Sequence, residues 1–200
     1  MKILVTGFEA FNGEQINPSE EIIKALAETF GEELYTLRLP VEFKEAEKKL
    51  MEAIAHFTPD ITLSLGQAAG RECITIERVA INVDDAKYPD NIGYQPVDVT
   101  ICEEGPAAYL TTLPLRGILA CLAENGIEAR ISNTAGTYVC NHVMYQVLHL
   151  AGNGYPAMKA GFIHVPYMKG QAEGKENAPY MELGEMIQAA EIIIRYLKTL

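Results

Sequence analysis

The sequence predicts an α/β fold, with a mostly parallel central sheet and helices on both of its faces. Two observations predict it. Short apolar runs of strand length alternate with amphipathic segments of helix length along the whole chain. Gly, Pro and Asn-Gly punctuation falls between them, and no internal repeat or low-complexity tract interrupts the alternation. The chain has 200 residues, and 48% of them are hydrophobic. That is enough for one domain, residues 1–200, with a substantial core.

Each element follows from its local pattern. Lys2–Thr6 is a short buried strand. Pro18–Phe30 is a helix, because Pro18 suits its start, Glu20 and Glu21 its first turn, and Gly31 its end. Leu34–Leu39 alternates like a strand. Phe43–Phe57 repeats helically, with Leu50, Ile54 and Phe57 on one stripe. Asp60–Leu65 is a strand that stops at Gly66. Pro114–Glu124 is a helix closed by Asn125-Gly126, and Ala129–Ser132 is the strand after it. Cys140–Ala151 is a helix, Gly161–Val165 a strand, and Leu183–Leu197 an amphipathic helix. Two segments, Asp84–Gly105 and Pro166–Tyr180, carry no such pattern and are expected as functional loops, lids or contact surfaces.

Composition narrows the function. The net charge of −11, with no Lys/Arg cluster, argues against a nucleic-acid partner. No window approaches the roughly 18 apolar residues of a membrane span, and the N-terminus lacks the pattern of a signal peptide. The four cysteines, Cys73, Cys102, Cys121 and Cys140, include no C-x-x-C pair, so neither a zinc site nor a thioredoxin-like site is expected. A cytoplasmic protein with reduced thiols is the expectation.

Cys140 is the residue whose position asks for a chemical reason. It follows a small-residue turn, Thr134 to Thr137, and opens an apolar helix. In a parallel α/β sheet such strand-to-helix junctions lie at the carboxyl edge, where ligands bind. The unpaired N–H groups of a helix start favour an anion, so they are expected to lower the thiol pKa and to hold an oxyanion. A buried structural thiol is the competing reading.

A thiol nucleophile needs a base. His56 ends a surface helix, His142 faces another side of the helix, and His149 lies more than two turns along it. His164 ends the following strand, and a strand–helix–strand crossover would return it to the edge that holds Cys140. An ordinary core histidine also fits the apolar run Phe162–Val165. The third member is sought among acids. In Cys73–Val83 the apolar phase runs through Ile74 and Ile76, then slips at Glu77-Arg78 to Val79, Ile81 and Val83. Glu77 is then expected on the Val79/Ile81 side. A buried Glu77 would need a partner, either His164 or a base such as Arg78.

These residues lie in motifs that resemble one family. GQAAGRECITIERVAIN (Gly66–Asn82), SNTAGTYVCNH (Ser132–His142), GFIHVPY (Gly161–Tyr167) and the opening VTGFEAFNGEQINPSE together resemble pyroglutamyl peptidase I. The resemblance implies an open, three-layer α/β/α sandwich, a cytoplasmic homotetramer, and a cysteine peptidase that works without a cofactor. Its substrates would be peptides with N-terminal pyroglutamate. It implies a triad of Glu77, Cys140 and His164, and a substrate pocket of Phe8, Phe11, Asn17, Gln67, Tyr138 and the main chain of Val139. Lys87 stands where an arginine is expected, so the planar fork is lost there. Asp90 matches a supporting aspartate. Ala10 and Asn12 replace a proline and a glycine of the usual first loop.

The chemistry agrees with such a pocket. Pyroglutamate is a lactam without an ammonium group, so it suits a flat apolar slot with a few hydrogen-bonding ends. Three other readings compete. A dinucleotide-binding enzyme would need G-x-G-x-x-G after the first strand, where Phe8 and Phe11 stand instead. A nucleoside phosphorylase would need a basic phosphate site. A binding module without turnover would not need all three triad residues.

Overall fold

The computed structural model describes residues 1–200. Its main sheet contains β1 (Ile3–Phe8), β2 (Tyr35–Leu39), β3 (Ile61–Gln67), β4 (Ile74–Glu77), β7 (Ala129–Ser132) and β8 (Lys159–Val165), in the order β2-β1-β3-β8-β4-β7. Strands β2, β1, β3 and β8 are parallel to one another. Strand β4 runs antiparallel to β8, and β7 runs parallel to β4. The sheet is therefore mostly parallel, with two reversed strands on one side.

The helices are α1 (Pro18–Phe30), α2 (Phe43–Phe57), α3 (Leu115–Glu124), α4 (Val139–Asn153), the short α5 (Lys169–Ala172) and α6 (Leu183–Leu197). The sheet sorts its side chains with period 2. Ile163 and Val165 of β8 join Ile3, Val5, Ile74 and Ile76 in a core beneath α1, α3 and α6. Phe162 of the same strand joins Leu4 and Leu39 in a second core beneath α2 and α4. Fully burying one such side chain contributes about 1.5–3 kcal/mol. Both faces are thus covered, and His164, two residues after Phe162, points toward α2 and α4.

Helix α1 shows why its boundaries fall where they do. Asn17 caps it, with Oδ1 accepting from the Ser19 N–H at 3.0 Å, and Pro18 is its first residue. Ser19 Oγ in turn accepts from the Phe8 N–H at 2.9 Å. Gly7 permits this approach, because a Cβ there would stand 2.4 Å from the Ser19 carbonyl oxygen. The end of β1 is thereby fixed against the start of α1.

Three expectations need correction. First, the β7–α4–β8 connection is not a parallel crossover, since β7 and β8 run in opposite directions. Residues 133–138 carry the chain back to the carboxyl end of β8 before α4 begins. Second, Pro166–Tyr180 is not structureless: β9 (Tyr167–Met168) pairs with β10 (Tyr180–Met181), and α5 lies between them. Third, the slip at Glu77-Arg78 is a change of sheet, so Glu77 and Val79 share no face. After Glu77 the chain leaves the main sheet, and β5 (Val79–Ile81) pairs with β6 (Ala108–Leu110). No helix is long and apolar enough to cross a membrane.

Candidate active site

Cys140 is the second residue of α4, and no side chain caps that helix. Its first-turn N–H groups are therefore open to a ligand. The next two residues lock this helix start in place. Asn141 accepts from the Ile81 N–H at 2.9 Å and donates to the carbonyl oxygens of Ile81 and Val83. His142 bonds through Nδ1 to Asp84 at 2.8 Å and through Nε2 to Glu47 at 3.2 Å.

The sulfur lies against the sheet at Gly66. A Cβ built on Gly66 would stand 3.0 Å from Cys140 Sγ and 2.7 Å from the Phe162 ring. Only glycine leaves that space. Gly66 pairs in register with His164 across β3 and β8, so the sulfur and the imidazole share one face of the sheet. Thr75 pairs with His164 on the other side, which puts Glu77, two residues on, on the same face.

Glu77 and His164 meet directly: His164 Nδ1 is 2.8 Å from Glu77 Oε1, and both side chains are buried. An ionised carboxylate only accepts, so Nδ1 carries the proton and Nε2 is left as the acceptor. The Phe162 ring packs on the imidazole, with its centre 4.8 Å away. The cation beside Glu77 is Arg71, not Arg78. Arg71 donates to Glu77 Oε1 at 3.4 Å, to Ser132 Oγ at 3.1 Å and to the Thr134 carbonyl oxygen at 3.3 Å. It ties the buried acid to the segment that leads into Cys140. The available signal for it was a lone arginine in the Gly-rich turn just before β4.

The thiol differs from expectation. Burial, and next the charge of Glu77, push the Cys140 pKa up to about 12, and the helix-start N–H offsets this only in part. The thiol makes no side-chain hydrogen bond. The lowering expected from the helix terminus is thus outweighed by desolvation.

Beside the sulfur is a narrow cleft lined by Phe8, Phe11, Asn17, Val41, Gln67, Tyr138, Val139 and Cys140. Phe11 and Tyr138 face each other at 6.2 Å between ring centres, and Phe8 packs on Phe162 at the same spacing. Val41, at the β2–α2 junction, has no polar signal in the sequence that would single it out. The polar groups divide sharply. Asn17 has both ends occupied, Oδ1 by Ser19 and Nδ2 by the Glu9 carbonyl oxygen, so its side chain shapes the first loop. Tyr138 donates to the Pro89 carbonyl oxygen at 3.1 Å. Gln67 Oε1 accepts from Gln171 at 2.8 Å, while its Nε2 has no protein acceptor.

The two supporting residues stand outside the cleft. Asp90 is buried and anchors the loop to α2: it accepts from the Tyr94 N–H at 2.9 Å, the Ile92 N–H at 3.1 Å and the Phe43 N–H at 3.3 Å. Lys87 is exposed over the Tyr88 ring, 5.6 Å from its centre, and Tyr88 in turn packs edge-on to Tyr138. Its side chain makes no hydrogen bond or ion pair with Glu77, Cys140 or His164. All four cysteines are free thiols. No cluster of three or more His, Cys, Asp or Glu side chains is arranged to hold a metal ion.

Comparison with known proteins agrees along the whole length. The family described as Pyroglutamyl peptidase matches residues 1–198. The pyrrolidone-carboxylate peptidase 1 of Caldanaerobacter subterraneus subsp. tengcongensis is 46% identical over 198 residues, covering 98% of each chain. Among solved structures, pyroglutamyl peptidase I from Bacillus amyloliquefaciens superposes with a TM-score of 0.93 at 40% identity, over 98% of this chain and 93% of that one. The pyrrolidone carboxyl peptidase from Thermococcus litoralis gives 0.91 at 43% identity, over 98% and 92%. With a match of this extent and identity, the chain belongs to the pyroglutamyl peptidase family of cysteine hydrolases.

Proposed function

We propose that this chain, acting as one catalytic domain, removes N-terminal pyroglutamate from peptides and proteins through Cys140, His164 and Glu77 and a thioester intermediate. The observation that carries the proposal is a thiol, an imidazole held by a carboxylate, and a cleft lined by aromatic rings, all on one face at one end of the sheet. Family membership supports the same activity.

The pyroglutamyl ring lies between Phe8, Phe11 and Tyr138, with the Gln67 amide and main-chain groups at its polar rim. With desolvation pushing the thiol pKa up, the proton leaves Cys140 as the bond to the scissile carbonyl forms, and His164 Nε2 receives it. Glu77 stabilises the imidazolium this creates. The carbonyl oxygen becomes an oxyanion at the open N–H groups of the α4 start, where losing one donor costs about 3–4 kcal/mol in comparable sites. His164 then gives its proton to the departing peptide amine, and the thioester remains. Water attacks the thioester with His164 as base, which releases pyroglutamate and restores the thiol. The chain's own side chains and water handle every proton and electron pair, so no cofactor enters the proposal.

Acid quenching during turnover of a pyroglutamyl peptide, followed by peptide mapping, tests this reading. A pyroglutamyl adduct on the Cys140 peptide is the expected result. Product formation with no adduct at any time point, or an adduct on another cysteine, would overturn the thioester route. We propose also a cytoplasmic homotetramer. The exposed apolar side chains of Ile92 and Val97 in the 84–105 segment support assembly, and light scattering measures it.

A further inference from the structure

Outside the triad, the least expected feature of the site is a buried glutamine behind another glutamine. Gln171, on α5, is 5% exposed and Gln67 is 6% exposed. We propose that Gln171 is a positioning residue that decides which end of the Gln67 amide faces the cleft, and so makes the site demand a carbonyl acceptor on the ring it binds. The inference rests on the pyroglutamyl reading above.

The two ends of a primary amide are nearly equal in size, so packing alone does not choose between them. Gln171 has a reason to choose. Its Oε1 accepts from the Met168 N–H at 3.1 Å. Its Nε2 faces three oxygens: Gln67 Oε1 at 2.8 Å, the Ile16 carbonyl at 3.1 Å and Glu14 Oε2 at 3.3 Å. Turning it round would set an oxygen against three oxygens and an NH2 against an N–H. A main-chain N–H cannot flip, so it fixes Gln171, and Gln171 fixes Gln67. Lys175 steadies the arrangement by pairing with Glu14 at 2.8 Å and bonding to the Gln171 carbonyl oxygen.

The result is a cleft in which Gln67 Nε2 is the side-chain amide nitrogen with no protein acceptor. Asn17 has both ends occupied and the Tyr138 hydroxyl donates elsewhere. A lactam carbonyl satisfies that donor. A five-membered ring without a carbonyl would cover the Gln67 NH2 and leave it unpaired, and sites built this way reject such analogues strongly.

The test compares pyroglutamyl-coumarin amide with cyclopentanecarbonyl-coumarin amide, a ring of the same size without lactam groups. The proteins are wild type, Gln171→Met and Gln171→Glu, each matched to wild type by tyrosine circular dichroism. In Gln171→Met, KM for the pyroglutamyl substrate should rise about tenfold with kcat within about threefold, and the preference for pyroglutamyl should shrink by a similar factor. Gln171→Glu offers Gln67 an acceptor instead of a donor, turns its oxygen into the cleft, and should have a lower kcat/KM than Gln171→Met. An unchanged KM, an equal fall in kcat on both substrates, or a Glu variant no worse than the Met variant would overturn the inference. Should wild type hydrolyse neither amide, the functional reading fails by itself. Titration of 2-pyrrolidinone into wild type and Gln171→Met then decides the role of Gln171: weaker binding by the variant supports it, and equal binding overturns it.

Discussion

Two buried histidines in this molecule each hold a carboxylate at 2.8 Å through Nδ1, yet they differ in what the other nitrogen does. His142 binds Asp84 through Nδ1 and Glu47 through Nε2. His164 binds only Glu77, and its face of the sheet also holds the Cys140 sulfur, against Gly66. Burial would lower the pKa of His142, but its two carboxylates outweigh that and raise it to about 9. It is a fixed cation that clamps α4 to α2 and to the Asp84 turn. The difference is the one that separates the proposed base from a structural histidine: a carboxylate to orient the imidazole, and one nitrogen left without a protein partner.

The comparison is broken most severely by changing the acid. Glu77→Gln keeps the shape but lets the imidazole take the wrong tautomer, so kcat should fall by roughly 10²- to 10⁴-fold with KM little changed. Steady-state kinetics with a pyroglutamyl-coumarin substrate measures it, and a kcat within threefold of wild type would place catalysis elsewhere.

His142 sharpens the contrast from the other side. His142→Gln should change kcat by less than about threefold while altering stability. The sign follows from its raised pKa. The native state holds a proton that the unfolded chain releases near 6.5, so the stabilisation is full below that pH and is lost as pH rises through about 9. The difference corresponds to roughly 3 kcal/mol. Urea midpoints between pH 6 and pH 10 should fall in wild type, and this component of the fall should be missing in His142→Gln.

Much of this contrast was legible in the chain. The alternation of Ile74 and Ile76 against Glu77 separates the core face from the site face, and both isoleucines pack beneath α1, α3 and α6. The small-residue turn before Cys140 marks a helix start, and α4 begins one residue earlier, at Val139. Strand direction was not legible. Alternation of strands and helices implies parallel neighbours, but β4 enters from a loop and pairs with β8 in the opposite sense, which reverses β7 with it. The protonation state of the thiol was not legible either, because it depends on burial between α4 and the sheet, which a helix terminus does not reveal. Arg71 and Gln171 act through partners as far as 63 and 157 residues away in sequence, distances over which a local pattern carries no signal.

The central claim is that one sulfur, Cys140, is the group that attacks. Release of coumarin from the pyroglutamyl amide by wild type, Cys140→Ala and Cys102→Ala, measured side by side with each protein shown to be folded, tests it most directly. The account predicts no turnover above background for Cys140→Ala and near wild-type rates for Cys102→Ala. Sustained turnover by a homogeneous Cys140→Ala preparation would contradict it.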